Sequence, residues 1–324
     1  MPTPTIAFDV ISERADEALD AAQLVAKKHR GGLRIKLVGN ALARSRLPSI
    51  LPPELAFWEA TETVVSGRDV RANLRLRDSS MRIAASLLAS NDAHAFLSSG
   101  DTGTFVALGA SKAGRIAGYL TPMLACHVPS GDGVAVMLDV GAIKDFRLEH
   151  VLEAAWDALP YARVALGISE PRVGLLNIGT EPRKGSPFLI DAYALLRERL
   201  PQFIGNVEPA CIAEGKVDVV IADAIAGNLY IKTVGAVLKH FGRRVKGTPK
   251  LYQLLALPAL LPARQTFNPE LYNGAWLLGL AKPCIKAHGS TRFGGFVNAL
   301  ESAYRAILLN EEYIRVATEM APAR

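Results

Sequence analysis

The feature that most constrains the fold is a short apolar run that ends in a glycine and a polar turn. Residues 173–178 read VGLLNI and are followed by Gly179. A run with so little polar alternation predicts a strand that is buried on both faces of a parallel sheet. The turn after it carries Lys184 to the start of a helix predicted over residues 187–200. Such a strand, turn and helix start often bind anions, because unpaired backbone N–H groups meet there.

Two further passages, residues 92–108 and residues 217–232, repeat this order of strand, turn and helix. Because buried strands alternate with helices along nearly the whole chain, the sequence predicts a three-layer α/β/α fold with a mostly parallel sheet. We expect one domain over residues 1–324, with ligands at the C-terminal ends of the strands. Many such turns in α/β proteins bind no ligand. The turn with Lys184 therefore has two open interpretations: it is an anion-binding site, or it only connects the strand to the helix.

The composition narrows the classes of partner. Half of the 324 residues are hydrophobic, which suffices for a large core. The formal net charge is +6, but the basic residues are scattered. The chain lacks the basic stripe with interleaved aromatic residues that nucleic-acid binding requires. An anionic substrate or an acidic carrier protein fits this mild positive excess.

The cysteines and the apolar stretches bear on the compartment. Cys126, Cys211 and Cys284 lie far apart without a metal-binding spacing, so they predict a reducing compartment, no metal cluster, and small buried side chains. The N-terminal segment reaches acidic residues too early for a signal peptide, and no stretch approaches the about 20 apolar residues of a membrane span. We therefore expect a cytoplasmic protein.

The chain resembles the PlsX family of phosphate acyltransferases. The resemblance rests on the three strand-turn-helix passages and on two further motifs, FIGNVE at residues 203–208 and HGS at residues 288–290. The likeness covers most of the chain. It implies a fold of the isocitrate and isopropylmalate dehydrogenase type, and transfer of an acyl group from acyl-carrier-protein thioester to inorganic phosphate in phospholipid synthesis. It also implies a homodimer with peripheral membrane contact. No cofactor is expected, because phosphate is itself a nucleophile and positioning with charge stabilisation supplies most of the acceleration.

The resemblance and the local chemistry assign catalysis to three residues. Lys184 is expected to bind phosphate or the developing oxyanion, Asn228 to donate to the thioester carbonyl or phosphate, and His288 to assist. A lone histidine before a helix is also a common structural feature, so both interpretations of His288 stay open. The predicted substrate-binding residues are Ser99, Gly100, Asp101, Thr102, Asp139, Asn177, Glu181, Asn206, Asp223 and Ser290.

Three polar residues are expected to organise turns or helix starts. A buried Asp223 without a partner is costly, so we expect it to cap a turn or to orient a neighbour. Ser79 or Ser80 is expected to cap a helix that runs to about residue 90.

Four expected ligand turns depart from the family pattern. The glycine-rich DAMGGD loop of the family is DVISER here, at residues 9–14, and only the first aspartate matches. Asp101 stands where the family has asparagine, and a carboxylate there repels an anion unless it is protonated or paired with a nearby Lys or Arg. Ile143 replaces another asparagine, and Thr180 replaces a glutamate.

Residues 243–267 differ in character from the rest of the chain. Six leucines crowd this segment, Pro258 and Pro262 interrupt it, and basic residues flank it. It is too short to span a bilayer. Three interpretations stay open: it lies on a membrane, it lines an acyl tunnel, or it forms core or dimer contacts.

Three functions remain in competition. The leading one is an acyltransferase that uses acyl-carrier-protein thioester and phosphate. The second is a relative that uses acyl-CoA or a different acceptor, and the third is a catalytically silent protein that binds an acyl carrier or a membrane. A dehydrogenase of the same architecture is disfavoured, because no GxGxxG follows a strand and no set of metal-binding aspartates is evident. No Ser-His-Asp order, HExxH or CxxC favours nucleophilic or metal catalysis.

Overall fold

A computed structural model describes residues 2–131, 133–250, 252 and 273–321. Within them, eleven strands join one sheet. The strands are β1 (Thr5–Asp9), β2 (Arg34–Gly39), β3 (Leu55–Glu59), β4 (Ala95–Ser98), β5 (Met123–Ser130), β6 (Gly133–Leu138), β7 (Val173–Leu176), β8 (Phe203–Val207), β9 (Val219–Ile221), β10 (Ala275–Leu278) and β11 (Cys284–Lys286). The helices of the described residues are α1 (Ala15–Lys28), α2 (Ala41–Ser45), α3 (Val70–Asn73), α4 (Ser80–Ala89), α5 (Thr102–Lys112), α6 (Leu148–Ala165), α7 (Pro187–Arg199), α8 (Pro209–Ala213), α9 (Ala224–Lys246) and α10 (Phe293–Met320).

The sheet consists of two parallel groups with a small antiparallel region between them. Its strand order is β3-β2-β1-β4-β11-β10-β5-β6-β9-β7-β8. Neighbours from β3 to β11 pair in parallel, and so do neighbours from β6 to β8. The intervening pairs are antiparallel, so the second group runs opposite to the first. The predicted α/β fold with a mostly parallel sheet is confirmed.

Helices cover both faces of the sheet, but one face is interrupted. On one face the largest core cluster joins the sheet to α1, α6, α7 and α10. On the other face two separate clusters form, one beneath α4 and α5 and the other beneath α8 and α9. Leu124 belongs to the first of these clusters and Val128 to the second, so β5 crosses the interval between them. This interval is where a cleft opens.

Several local expectations need correction. Ile178 is 75% exposed, because β7 ends at Leu176 and residue 178 already belongs to the turn. Ser79 occupies the N-cap position of α4, but its side chain makes no capping hydrogen bond. Ser80 instead donates to Asp9 over 2.6 Å. The cap prediction for this pair of serines was therefore wrong in its chemistry.

The apolar segment predicted over residues 243–267 is described only in part. Residues 243–246 complete α9, and residue 251 and residues 253–267 lie outside the described residues. None of the helices in the described ranges combines the length and the hydropathy needed to cross a membrane. The single domain over residues 1–324 stays a prediction.

Candidate active site

A cleft of about 740 Å³ opens above β5, between α5 and α9. Side chains of Leu124, Cys126 and Val128 alternate along β5 and form an apolar floor. Tyr230 and Ile231 of α9 form part of the facing wall. The turns that follow β4 and β11 close the other end with polar groups. A volume of this size suits a small-molecule site, and its two ends suit different parts of a substrate.

The turn after β4 contributes the residues predicted there. Ser99, Gly100, Asp101 and Thr102 all line the cleft. Asp101 is the N-cap of α5, where its Oδ1 accepts from the backbone N–H and the hydroxyl of Thr104 over 2.8 Å and 2.7 Å. The carboxylate that departs from the family pattern therefore has a capping role.

The turn after β11 is fixed by its own side chains. His288 Nδ1 lies 3.0 Å from the Ser290 hydroxyl and accepts from the Ser290 backbone N–H over 3.2 Å. Asn273 accepts from the His288 backbone N–H over 3.0 Å and donates to the Thr291 hydroxyl over 2.7 Å. Because Nδ1 acts as an acceptor, the neutral imidazole carries its proton on Nε2. Asn273 thus bridges the two ends of this turn.

Lys286 lies beside these residues and was missed by the sequence analysis. It is only 8% exposed, lines the cleft, and donates to the carbonyl of Ala287. Burial lowers its pKa to about 8, while the nearby charges of Asp9 and Asp101 act in the opposite direction. A lysine within a buried three-residue strand could itself have indicated a functional site. A buried charge is tolerated only where neighbouring groups compensate it.

Asp9 supplies part of that compensation. Its carboxylate accepts from the hydroxyls of Ser80 and Ser98 over 2.6 Å and 2.7 Å. Burial raises the pKa of Asp9. The two hydrogen bonds and the positive charge of Lys286 both oppose this rise. The aspartate that matches the family pattern therefore lies behind the cleft and does not line it.

Asp139 organises the turn after β6. Its Oδ1 accepts from the N–H groups of Leu124 and Ala142, and its Oδ2 accepts from that of Ile143 over 2.7 Å. Burial raises the pKa of Asp139, and these backbone donors oppose the shift. The Ile143 side chain packs against the largest core cluster, outside the cleft lining. The turn thus keeps its geometry through backbone groups, whatever side chain stands at position 143.

Asn228 reaches the cleft from the first turn of α9. Asp223 caps this helix, because its Oδ1 accepts from the N–H groups of Ile225 and Ala226 over 2.9 Å and 2.8 Å. The predicted capping role of Asp223 is confirmed. Gly227 lies so close to β6 that an added Cβ would come 2.6 Å from the Asp139 carbonyl oxygen. This close approach brings Asn228 and Gly141 together at the cleft.

The turn after β7 forms a separate cluster outside the cleft lining. Asn177 donates to the Lys184 carbonyl over 3.0 Å, and Asn206 donates to the Glu181 carbonyl over 2.8 Å. The Lys184 ammonium lies 3.8 Å from Glu181, and its side chain is 47% exposed. Gly185 has a φ of +90°. Asn177, Glu181, Lys184 and Asn206 therefore hold one another in a compact turn.

Comparison with known proteins identifies the family. The family model described as "Fatty acid synthesis protein" matches residues 6–312. A phosphate acyltransferase of Exiguobacterium sibiricum is 37% identical over 294 residues, which cover 88% of each chain. One of Anoxybacillus flavithermus is 35% identical over 317 residues, which cover 94% of this chain and 95% of the relative. The chain belongs to the PlsX phosphate acyltransferase family. It is accordingly an acyltransferase.

Solved structures agree with this family at the level of the fold. A phosphotransacetylase of Streptococcus pyogenes superposes with a TM-score of 0.60 at 15% identity and covers 94% of each chain. A 4-hydroxythreonine-4-phosphate dehydrogenase of Klebsiella pneumoniae superposes with a TM-score of 0.51 at 12% identity, covering 94% of this chain and 98% of its own. At these identities the likeness concerns the architecture alone.

The cleft brings together part of the residue set predicted for a PlsX enzyme. Ser99, Gly100, Asp101, Thr102, Asn228, His288 and Ser290 line it. Asp139, Asn177, Glu181, Lys184, Asn206 and Asp223 lie outside its lining. The functional roles assigned to all of these residues stay predictions. Of the four departures from the family pattern, the turn of residues 9–14, Ile143 and Thr180 also lie outside the lining, so Asp101 alone of the four faces the cleft.

Two further titratable groups border the cleft. Burial lowers the pKa of His127 to about 4, and its Nε2 lies 2.8 Å from the Tyr161 hydroxyl. Burial raises the pKa of Cys126 to about 12, which keeps this thiol protonated and inert as a nucleophile. In the part of the chain that the structure describes, no group of three or more His, Cys, Asp or Glu is arranged to hold a metal ion.

Proposed function

We propose that this enzyme transfers a fatty acyl group from an acyl-carrier-protein thioester to inorganic phosphate, giving acyl phosphate for phospholipid synthesis. The observation that carries the proposal is a cleft with an apolar floor at one end and a cationic, hydrogen-bonding turn at the other. The floor suits an acyl chain, and the polar end suits a phosphate. In the reaction, a phosphate oxygen attacks the thioester carbonyl carbon. The resulting oxyanion collapses, the C–S bond breaks, and the leaving thiolate takes a proton.

His288 is the residue best suited to stabilise the departing sulfur. With Nδ1 accepting from Ser290, the neutral ring presents an N–H at Nε2. This N–H donates a hydrogen bond to the departing sulfur, and the thiolate takes the proton that the attacking hydrogen phosphate loses. Asn228, on the opposite wall, donates to the thioester carbonyl, where negative charge develops. Lys184 lies outside the cleft lining, so its predicted role in binding phosphate or the oxyanion is not part of this proposal and is tested separately by Lys184→Ala.

The choice of carrier protein rests on charge. Lys232 and Arg292 belong to the cleft lining, and the chain has a formal net charge of +6. These features support an acidic carrier protein as donor. Acyl-CoA, whose phosphates are also anionic, is the second candidate. The ratio of kcat/KM for acyl-carrier-protein thioester and for acyl-CoA of equal chain length, measured at low and at moderate salt, separates the two donors.

We also propose that the enzyme is a cytoplasmic homodimer with peripheral membrane contact. The support comes from α9, where Ile225, Leu229, Val237 and Phe241 recur every four or eight residues and are 48–76% exposed. An apolar row that the described residues leave exposed in this way suits a partner subunit or a lipid surface. Light scattering gives the subunit number, and flotation with anionic vesicles measures lipid contact.

The proposed reaction is tested by acyl phosphate formation with trapping by hydroxylamine. Product that requires phosphate supports the proposal, and a lack of product from every acyl-carrier-protein thioester, under conditions where a relative is active, refutes it. We expect His288→Ala to lower kcat about a hundredfold, with little change in either KM, because it removes the N–H that donates to the departing sulfur as negative charge develops there. Full turnover by this variant would remove His288 from the mechanism.

A further inference from the structure

Three strands end side by side at the polar end of the cleft. In the parallel register, Asp9 of β1 lies beside Ser98 of β4, and Ser98 lies beside Lys286 of β11. Residues in register on neighbouring parallel strands point to the same face, about 4.8 Å apart. Asp9, Ser98 and Lys286 therefore form one row across the sheet. The Ser98 hydroxyl, which donates to Asp9 over 2.7 Å, is the middle member.

Not every N–H donor of the Lys286 ammonium has an acceptor among the described residues. The ammonium carries three donors, and among the described residues it makes one hydrogen bond, to the Ala287 carbonyl. No carboxylate of these residues lies within 4.0 Å of it, although Asp9 and Asp101 act on it from a greater distance. Two donors of a buried cation are thus left for a ligand in the cleft, whose lining includes Lys286.

A second buried group nearby also lacks a partner. Ser99 is 4% exposed and lines the cleft, and its hydroxyl makes no hydrogen bond with any described residue. A buried hydroxyl without a hydrogen bond is unfavourable, so it points to a group that binds there. The backbone at Ser99 also meets the turn after β11, because an added Cβ at Gly289 would lie 3.9 Å from the Ser99 carbonyl oxygen.

We propose that Lys286 and Ser99 hold the acceptor phosphate at the N-terminus of α5. This inference rests on the proposed acyl transfer to phosphate and assigns its acceptor subsite. The ammonium and the hydroxyl donate to phosphate oxygens, and the backbone N–H groups at the start of α5 add the favourable end of the helix dipole. Asp9 holds the cation from behind without blocking its open side. The subsite takes a tetrahedral oxyanion and leaves the apolar floor to the acyl group.

The subsite also implies a specific pH dependence. Phosphate binding requires the protonated lysine, so affinity for phosphate falls as the pH rises through the pKa of Lys286. The charged groups that face this ammonium are Asp9 from β1 and Asp101 from the cap of α5, with His288 and Arg292 in the same cleft lining. Both carboxylates favour the protonated form. Replacement by arginine, which stays charged, should flatten the profile.

The test compares inorganic phosphate binding and turnover in Lys286→Met, Ser99→Ala and wild-type protein. We expect Lys286→Met to raise the KM for phosphate about tenfold to a hundredfold, leaving the KM for the acyl donor unchanged. It should also abolish the rise in unfolding temperature that phosphate causes relative to chloride at equal ionic strength. Lys112→Met, at the opposite end of α5 and outside the cleft lining, is the matched control.

Two further variants keep the inference testable if Lys286→Met does not fold. Ser99→Ala removes a hydroxyl that has no hydrogen-bond partner in the described part of the chain, so it should fold normally and raise the phosphate KM about three- to tenfold. Lys286→Arg should retain phosphate binding and lose the pH dependence above pH 8. An unchanged phosphate response in Lys286→Met, or in Ser99→Ala where the former is unfolded, would overturn the assignment.

Failure of the subsite can be distinguished from failure of the proposed reaction. If wild-type protein is stabilised by phosphate through Lys286 but forms no acyl phosphate, the proposed reaction is wrong and the subsite stands. If acyl phosphate forms and Lys286→Met keeps the wild-type phosphate KM, the reaction stands and the subsite is wrong. If phosphate neither stabilises wild-type protein nor reacts, both are refuted.

Discussion

The turn after β7 and the paired turns after β4 and β11 each bring a lysine close to a helix start, yet they differ in burial and in hydrogen bonding. Lys184 is half exposed, and its ammonium lies 3.8 Å from Glu181. Lys286 is buried, lies close to a hydroxyl without a partner, and has no carboxylate within 4.0 Å among the described residues. A buried cation with open donors interacts strongly with an anion, whereas an exposed, paired one contributes little. A lysine close to a helix start therefore does not by itself indicate an anion site.

We expect the two turns to differ most in their response when the carboxylate near the lysine is neutralised. Asp9→Asn keeps the shape of a buried side chain and removes the charge that opposes deprotonation of Lys286. The pKa of Lys286 should fall about one unit further below its present value of about 8. Because phosphate requires the protonated form, its KM at pH 8 should rise about fivefold, whereas at pH 6 the variant should approach wild type.

Glu181→Gln is the matched control for Asp9→Asn. It makes the same chemical change beside the exposed Lys184, where solvent screens the pair. We expect no shift in the pH profile of the phosphate KM. The comparison fails if Glu181→Gln shifts the profile and Asp9→Asn does not.

Stability of Asp9→Asn, measured by denaturant unfolding, should fall about 1–3 kcal/mol, because the Ser80 and Ser98 hydroxyls lose a common charged acceptor.

The contrast between the two lysines also shows how much of the fold and of the site the sequence could predict. The strand β7 was predictable because an aliphatic run buried on both faces has a distinctive composition, but the pattern did not indicate where the strand ends, and Ile178 was misplaced. Asp9 and Ser98, the residues aligned with Lys286, come from distant parts of the chain and meet it only through sheet register. No local spacing encodes that meeting. Seven predicted site residues line the cleft because each follows or precedes a recognisable turn.

A substitution at Gly185 tests whether the turn after β7 is structural. Gly185 has a φ of +90°, and an added Cβ would lie 2.7 Å from the Asn177 Oδ1. Gly185→Ala should therefore lower the free energy of unfolding by about 1–3 kcal/mol. Gly167→Ala, at a φ of +71° with no atom within 4 Å of the added Cβ, measures the backbone strain alone. If the turn is structural, the phosphate KM of folded Gly185→Ala stays at the wild-type value.

The smallest effect is expected for Lys184→Ala. Removal of a half-exposed ammonium from an ion pair at 3.8 Å changes free energies by about 0–1 kcal/mol. We therefore expect the phosphate KM to change less than about fivefold, with kcat unaffected. The measurement is steady-state acyl phosphate formation at several phosphate concentrations, in parallel with Lys286→Met. A loss of a hundredfold or more in Lys184→Ala, with Lys286→Met near wild type, would reverse the comparison. The anion site would then be the exposed turn after β7, and the cleft would hold only the acyl group.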